Sequence, residues 1–77
     1  MIAEHERIVL TANLPEEGLE AGDVGTVVFV HNKGKAYEVE FATLGGATAA
    51  VATVRAEQVR PVSQTDLAHT RQFAALA

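Results

Sequence analysis

The sequence predicts an all-β fold, a small five-stranded SH3-like barrel over residues 1–62 with a short C-terminal helix in an amphipathic tail, residues 63–77. Three observations lead there. Short β-branched runs recur between turn signals. A long first loop is followed by two tight hairpins. A single helical turn then stands just before the last short strand, which is the plan of such a barrel.

The first strand is Arg7-Ile8-Val9-Leu10-Thr11, preceded by a polar arm, residues 1–6, expected to fray. The loop Asn13 to Ala21 follows, with Pro15 fixing its own φ and Gly18 free to take positive φ. Leu14 and Leu19 are expected to tack this acidic loop onto the barrel. Gly22-Asp23 makes the next turn, where the Asp23 carboxylate can accept backbone N–H groups two residues on.

Val24 to His31 is apolar on both faces. Val24, Thr26, Val28 and Val30 alternate with Gly25, Val27, Phe29 and His31. Such a strand is buried twice or bends to serve two sheets, and Gly25 is the expected place of a bend or close backbone approach. His31-Asn32-Lys33-Gly34-Lys35 reads as a hairpin with Gly34 left-handed. In Ala36 to Ala42, Tyr37, Val39 and Phe41 point inward while Glu38 and Glu40 point to water. Gly45-Gly46 carries the second hairpin, and Thr48 to Val54 is a fourth strand of small residues. Ala56-Glu57-Gln58 is a helical turn, and Val59 to Val62 is a last strand that Pro61 confines to an edge or terminus.

Beyond Val62 the period changes. Ser63 stands as an N-cap with Asp66 in the capping-box position. Leu67, Thr70, Ala74 and Ala77 form a stripe, with Phe73 and Leu76 beside it. A helix of this length is marginal alone, so it should dock on the barrel or on a partner, and Leu67, Phe73 and Leu76 mark that interface.

Composition narrows the chemistry. The 77 residues include no cysteine, so the core must hold without disulfide or thiolate–metal staples, for which a hydrophobic fraction of 48% is ample. A net charge of −4 argues against binding a phosphate backbone, and no signal peptide or membrane span is evident, so a cytoplasmic location is expected.

The segments Leu10-Thr11, Leu14-Pro15-Glu16-Glu17-Gly18-Leu19, Gly22 to Val28, Ala36 to Phe41 and Val59 to Val62 resemble a family of small bacterial domains, the domain of unknown function numbered 4926. The resemblance covers residues 8 to 62 and none of the tail, and it implies no activity and no catalytic or binding residues. The hairpin Ala42 to Ala52 is poorer in charge than the family leads one to expect. Gly22-Asp23-Val24-Gly25-Thr26-Val27 is also distantly similar to the KOW motif of ribosomal and transcription-elongation proteins, which implies an SH3-like barrel edge.

No catalytic constellation emerges. The only serine, Ser63, is accounted for as a cap; His5, His31 and His69 share no spacing; Glu38 and Glu40, about 7 Å apart on one strand face, are explained by alternation. His31 with a carboxylate would supply too few ligands for a metal. No cofactor is expected. A KOW-like nucleic-acid role conflicts with Glu16, Glu17, Glu20 and Asp23 around the motif. The reading left is a non-enzymatic protein-interaction module, engaging another protein or itself. Its surface would be Glu16, Glu17 and Glu20 on the first loop and His31, Lys33 and Lys35 on the hairpin, opposite in charge and able to orient a partner.

Overall fold

The computed structural model describes residues 1–73. Five antiparallel strands form one sheet in the order β4-β3-β2-β1-β5. They are β1 (Arg7–Leu10), β2 (Val24–His31), β3 (Ala36–Ala42), β4 (Thr48–Arg55) and β5 (Val59–Pro61). Single 3-10 turns, Pro15–Glu17, Asn32–Gly34 and Ala56–Gln58, punctuate the connections.

The all-β expectation holds, and the sheet is open. β4 and β5 are its two edges. β5 is three residues long and spends its pairing on β1; Pro61 has no N–H to extend a ladder. The sheet nevertheless curves. Val59 from one edge and Ala52 and Val54 from the other share a single cluster with Ile8, Leu10, Val27, Tyr37, Val39 and Phe41. The alternation of β3 is observed as read: Tyr37, Val39 and Phe41 are buried, and Glu38 and Glu40 lie on the opposite face. Leu19 seals the core from the first loop through its bridge to Leu14.

β2 departs from simple alternation. Val27 pairs with Val39, but Phe29 pairs with Glu38, so Val28 is an extra residue in a β-bulge. The bulge reverses the phase of the strand: Val27 lies in the core, Phe29 turns outward and is 52% exposed, and Val30 packs against the core again. A bend was expected at Gly25; it occurs three residues later. Gly25 serves the other role foreseen for it. A Cβ there would stand 2.5 Å from Val39 Cγ1 and 2.9 Å from the Phe41 ring, so only glycine admits these two core side chains.

Two expectations are corrected. The N-terminal arm is docked: Ile2 belongs to the core, its N–H points to the Tyr37 hydroxyl (3.4 Å), and the His5 N–H donates to the Val27 carbonyl (2.6 Å). The isolated apolar Ile2 has no periodic neighbours to signal this. The tail, as far as Phe73, contains no helix. The Asp66 carboxylate does accept the Ser63 N–H (2.7 Å), as a capping box would have it, but the chain then continues irregularly. Side-chain anchors to the body of the domain replace the helical bonds of a segment too short to be helical unaided.

Replacing Gly25 with valine should overpack the core and cost about 1–3 kcal/mol. The check is urea unfolding, where the midpoint should fall with an unchanged slope; an unchanged midpoint would refute the close-approach account.

Candidate functional site

The loop between β1 and β2 is closed at its base by backbone. The Leu10 N–H donates to the Asp23 carbonyl (2.9 Å) and the Gly22 N–H to the Leu10 carbonyl (2.8 Å). Inside it, the Asn13 side chain accepts the Ala21 N–H (2.8 Å) and the Asp23 carboxylate accepts the N–H of Glu20 (2.8 Å). Asp23 thus bonds three residues back along the chain, where the sequence reading placed its bond two residues forward. The effect is a fixed carboxylate at the mouth of the loop.

That carboxylate holds Arg71. The guanidinium donates from Nε to Asp23 Oδ1 (2.9 Å) and from Nη2 to Oδ2 (2.6 Å), a two-pronged pairing. Nη2 also donates to the Gly18 carbonyl (3.0 Å), and Glu20 approaches Nη1 at 3.7 Å. Phe73 lies against Gly18: a Cβ at position 18 would stand 3.2 Å from the ring, and Gly18 has φ +73°. Glycine is therefore required there both for its backbone and for the space it leaves. Arg71 and Phe73 also meet, with the guanidinium carbon 5.9 Å from the ring centroid.

A second anchor lies nearer β5. Arg60 donates to both Asp66 oxygens, at 2.8 and 3.0 Å. Between the two anchors the tail borders a shallow cleft of about 360 Å³, whose walls include Val9, Val24, Arg60, Asp66, His69 and Arg71. Val9 is buried yet lies outside the core cluster. Its register neighbours are Val24 and Arg60, which places these residues on the outer face of the sheet.

The expected site residues are dispersed. Glu20 reaches Arg71. His31 pairs with Glu38 at 3.3 Å and meets the Phe29 ring edge-on. Glu16, Glu17, Lys33 and Lys35 are exposed and form no ion pair among the described residues. Leu67 is 94% exposed and is not the docking residue expected of it, since the helix that would have turned it inward is absent. Phe73 does dock; Leu76 lies outside the described residues. The Glu38 and Glu40 carboxylates accept bonds from Thr53 (2.6 Å) and Thr48 (2.7 Å), cross-strand contacts that hold the exposed face of β3 to β4. Asp23 and Asp66 were read from sequence as a turn residue and a capping residue, but their arginine partners Arg71 and Arg60 were not foreseen, although Arg71 is the one basic residue of the tail other than His69.

A family described as Domain of unknown function (DUF4926) matches residues 4–61. The chain belongs to this family. The DUF4926 match spans the five strands and stops where the tail begins, so both Arg71 and Phe73 lie beyond it while Asp23 and Gly18 lie within it. No curated protein and no solved structure matches the chain.

Both tail anchors depend on ionised carboxylates. Burial pushes the Asp23 carboxyl up, but the Arg71 hydrogen bonds, the Glu20 N–H and the Arg71 charge together hold it below its ordinary value. The Arg60 hydrogen bonds, then the Ser63 N–H, hold Asp66 far below the usual carboxylate range. A depressed folded-state pKa contributes stability that is present above the unfolded value, near pH 4, and is lost as pH falls through the folded value. Acidification below about pH 4 should therefore weaken the tail's hold progressively, with release complete only once the pH has fallen through the depressed values of both carboxyls. Amide exchange or proteolysis of residues 63–73 as a function of pH checks this, and Asp23→Asn should loosen the Arg71 end already at neutral pH. Protection of the tail that is independent of pH and of this substitution would contradict it.

Proposed function

We propose that this domain is a non-enzymatic protein-interaction module, an SH3-like barrel of a bacterial cytoplasm that engages another protein or a second copy of itself without a cofactor. The strand order, the long loop between β1 and β2 and the 3-10 turn entering β5 support the barrel reading. The observation that carries the functional reading is the seating of the tail. The domain holds an irregular segment of polypeptide on its first loop through side chains, with an arginine on a carboxylate and an aromatic ring on a glycine. Holding peptide in this way is what an interaction module does.

The charge of the molecule supports the same reading over a nucleic-acid role. The loop beside the KOW-like stretch carries Glu16, Glu17, Glu20 and Asp23, which repel phosphate. Gly25, the central glycine of that stretch, is explained by the packing of Val39 and Phe41. The glutamates of β3 are engaged by threonines and one histidine, which supports a structural role for them.

The experiment is affinity capture with the product of an adjacent gene, run beside RNA and DNA binding at low salt. The expected result is a complex that weakens on combined Glu16→Lys and Glu17→Lys substitution, with no salt-steep nucleic-acid binding. Tight nucleic-acid binding that falls steeply with added salt would overturn the proposal in favour of the KOW-like reading.

A further inference from the structure

The tail contacts have the form of a ligand in a receptor site. Asp23 is fixed by the Glu20 N–H before any guanidinium arrives, because that bond is made within the loop. The Gly18 carbonyl stands beside it, and the bare Cα of Gly18 offers a flat place for a ring. Arg71 and Phe73 occupy all three features with a single spacer, Gln72, between them. The host residues come from the first loop and the guest residues from a segment that forms no strand, so no ladder bond of the sheet has to break when the guest leaves.

We propose that this loop is a recognition site for an arginine-x-aromatic segment of a partner protein, and that Arg71 and Phe73 occupy it in cis as an internal competitor. The inference rests on the reading of the domain as a protein-interaction module and names the partner's chemistry and its regulation.

The charge of the loop says why a partner can displace the tail. Glu16 and Glu17 sit two residues and one residue before Gly18, exposed, with no cation against them among the described residues. Within residues 63–73 of the tail Arg71 is the only arginine and there is no lysine, and its guanidinium is committed to Asp23 and Gly18. A partner segment that carries an additional Lys or Arg near its arginine-x-aromatic pair makes the same contacts and uses these carboxylates as well. A second copy's tail repeats the contacts of the first with no such gain, while the tethered tail keeps the advantage of high effective concentration. The occupant favoured by the charges is therefore a basic, aromatic-bearing segment of a different protein.

The test uses the full-length chain and a synthetic peptide of residues 63–73 as the probe. In Arg71→Ala/Phe73→Ala the internal competitor is removed, and this variant should bind the peptide at least about tenfold more tightly than the wild-type chain does, since cis occupancy lowers the fraction of open sites. Adding Asp23→Asn to the variant, or using a peptide with alanine in place of the arginine and the phenylalanine, should abolish binding. A peptide carrying two extra lysines should bind more tightly still, and combined Glu16→Gln and Glu17→Gln should remove that gain. Circular dichroism establishes that each variant is folded, and Arg71→Ala alone provides a milder host should the double variant unfold. Absence of peptide binding to a folded, competitor-free chain overturns the inference, as does equal binding to variant and wild type. A concentration-dependent dimer lost in Arg71→Ala/Phe73→Ala would overturn the choice of a different protein as occupant. The adjacent-gene capture and nucleic-acid assays remain separate readouts of the interaction reading itself, so a failure here is distinguishable from a failure there.

Discussion

One five-stranded sheet with no helical layer has two faces, and a short chain without disulfides has to make one of them into a core. Curvature is how this is done. The two edge strands contribute Val59 on one side and Ala52 and Val54 on the other to the same cluster, and the first loop and the N-terminal arm close over it with Leu14, Leu19 and Ile2. No side-chain polar atom is buried without a hydrogen-bond partner among the described residues, so the apolar interior is not offset by unsatisfied groups. Every other feature of the molecule depends on that division between a closed inner face and an open outer one.

The division is enforced in β2. Gly25 lets Val39 and Phe41 approach the backbone, and the bulge at Val28 then shifts the strand by one residue. A one-residue shift exchanges the faces of everything beyond it, which is why Val27 and Val30 both pack inward while Phe29 turns out. A strand that is apolar at nearly every position can accept such a shift because either phase buries a valine. The same property leaves Phe29 on the surface, partly covered by His31.

This explains which parts of the molecule could be read in the sequence. β3 was legible because charged residues alternate with aromatic and branched ones, so a single phase is allowed. The hairpin glycines, the turn at Ala56 to Gln58 and the edge position of Pro61 were legible because each is a local backbone requirement. The phase of β2 was not, since its composition permits both. The docking of Ile2 and the course of the tail were not legible either: each rests on contacts distant in sequence. Arg71 and Asp23 are separated by 48 positions, and no local pattern records a pairing of that kind. Ser63 and Asp66 form the capping contact that the sequence suggests, yet Asp66 also receives Arg60, and a helix start does not by itself make a helix.

The tail's manner of attachment determines how it can move. Among the described residues its anchors are two arginine–carboxylate pairs and one ring, with no backbone bond to the sheet after the Val62 N–H, which donates to the Arg7 carbonyl. Segments held by few contacts open at the low end of a protein's local stability range, independently of global unfolding. Among the described tail residues Phe73 is the one whose side chain packs against the core cluster, and it does so from the rim, over Gly18. Its departure would uncover the loop without opening a hole beneath β1 to β4, whose interior is filled by the strands together with Ile2 and Leu19. The tail can thus leave the loop while the sheet stays folded, because the contacts that shape the acceptor, from Glu20 to Asp23 and from Leu10 to Gly22, are made within the loop and its flanking strand and not through the tail.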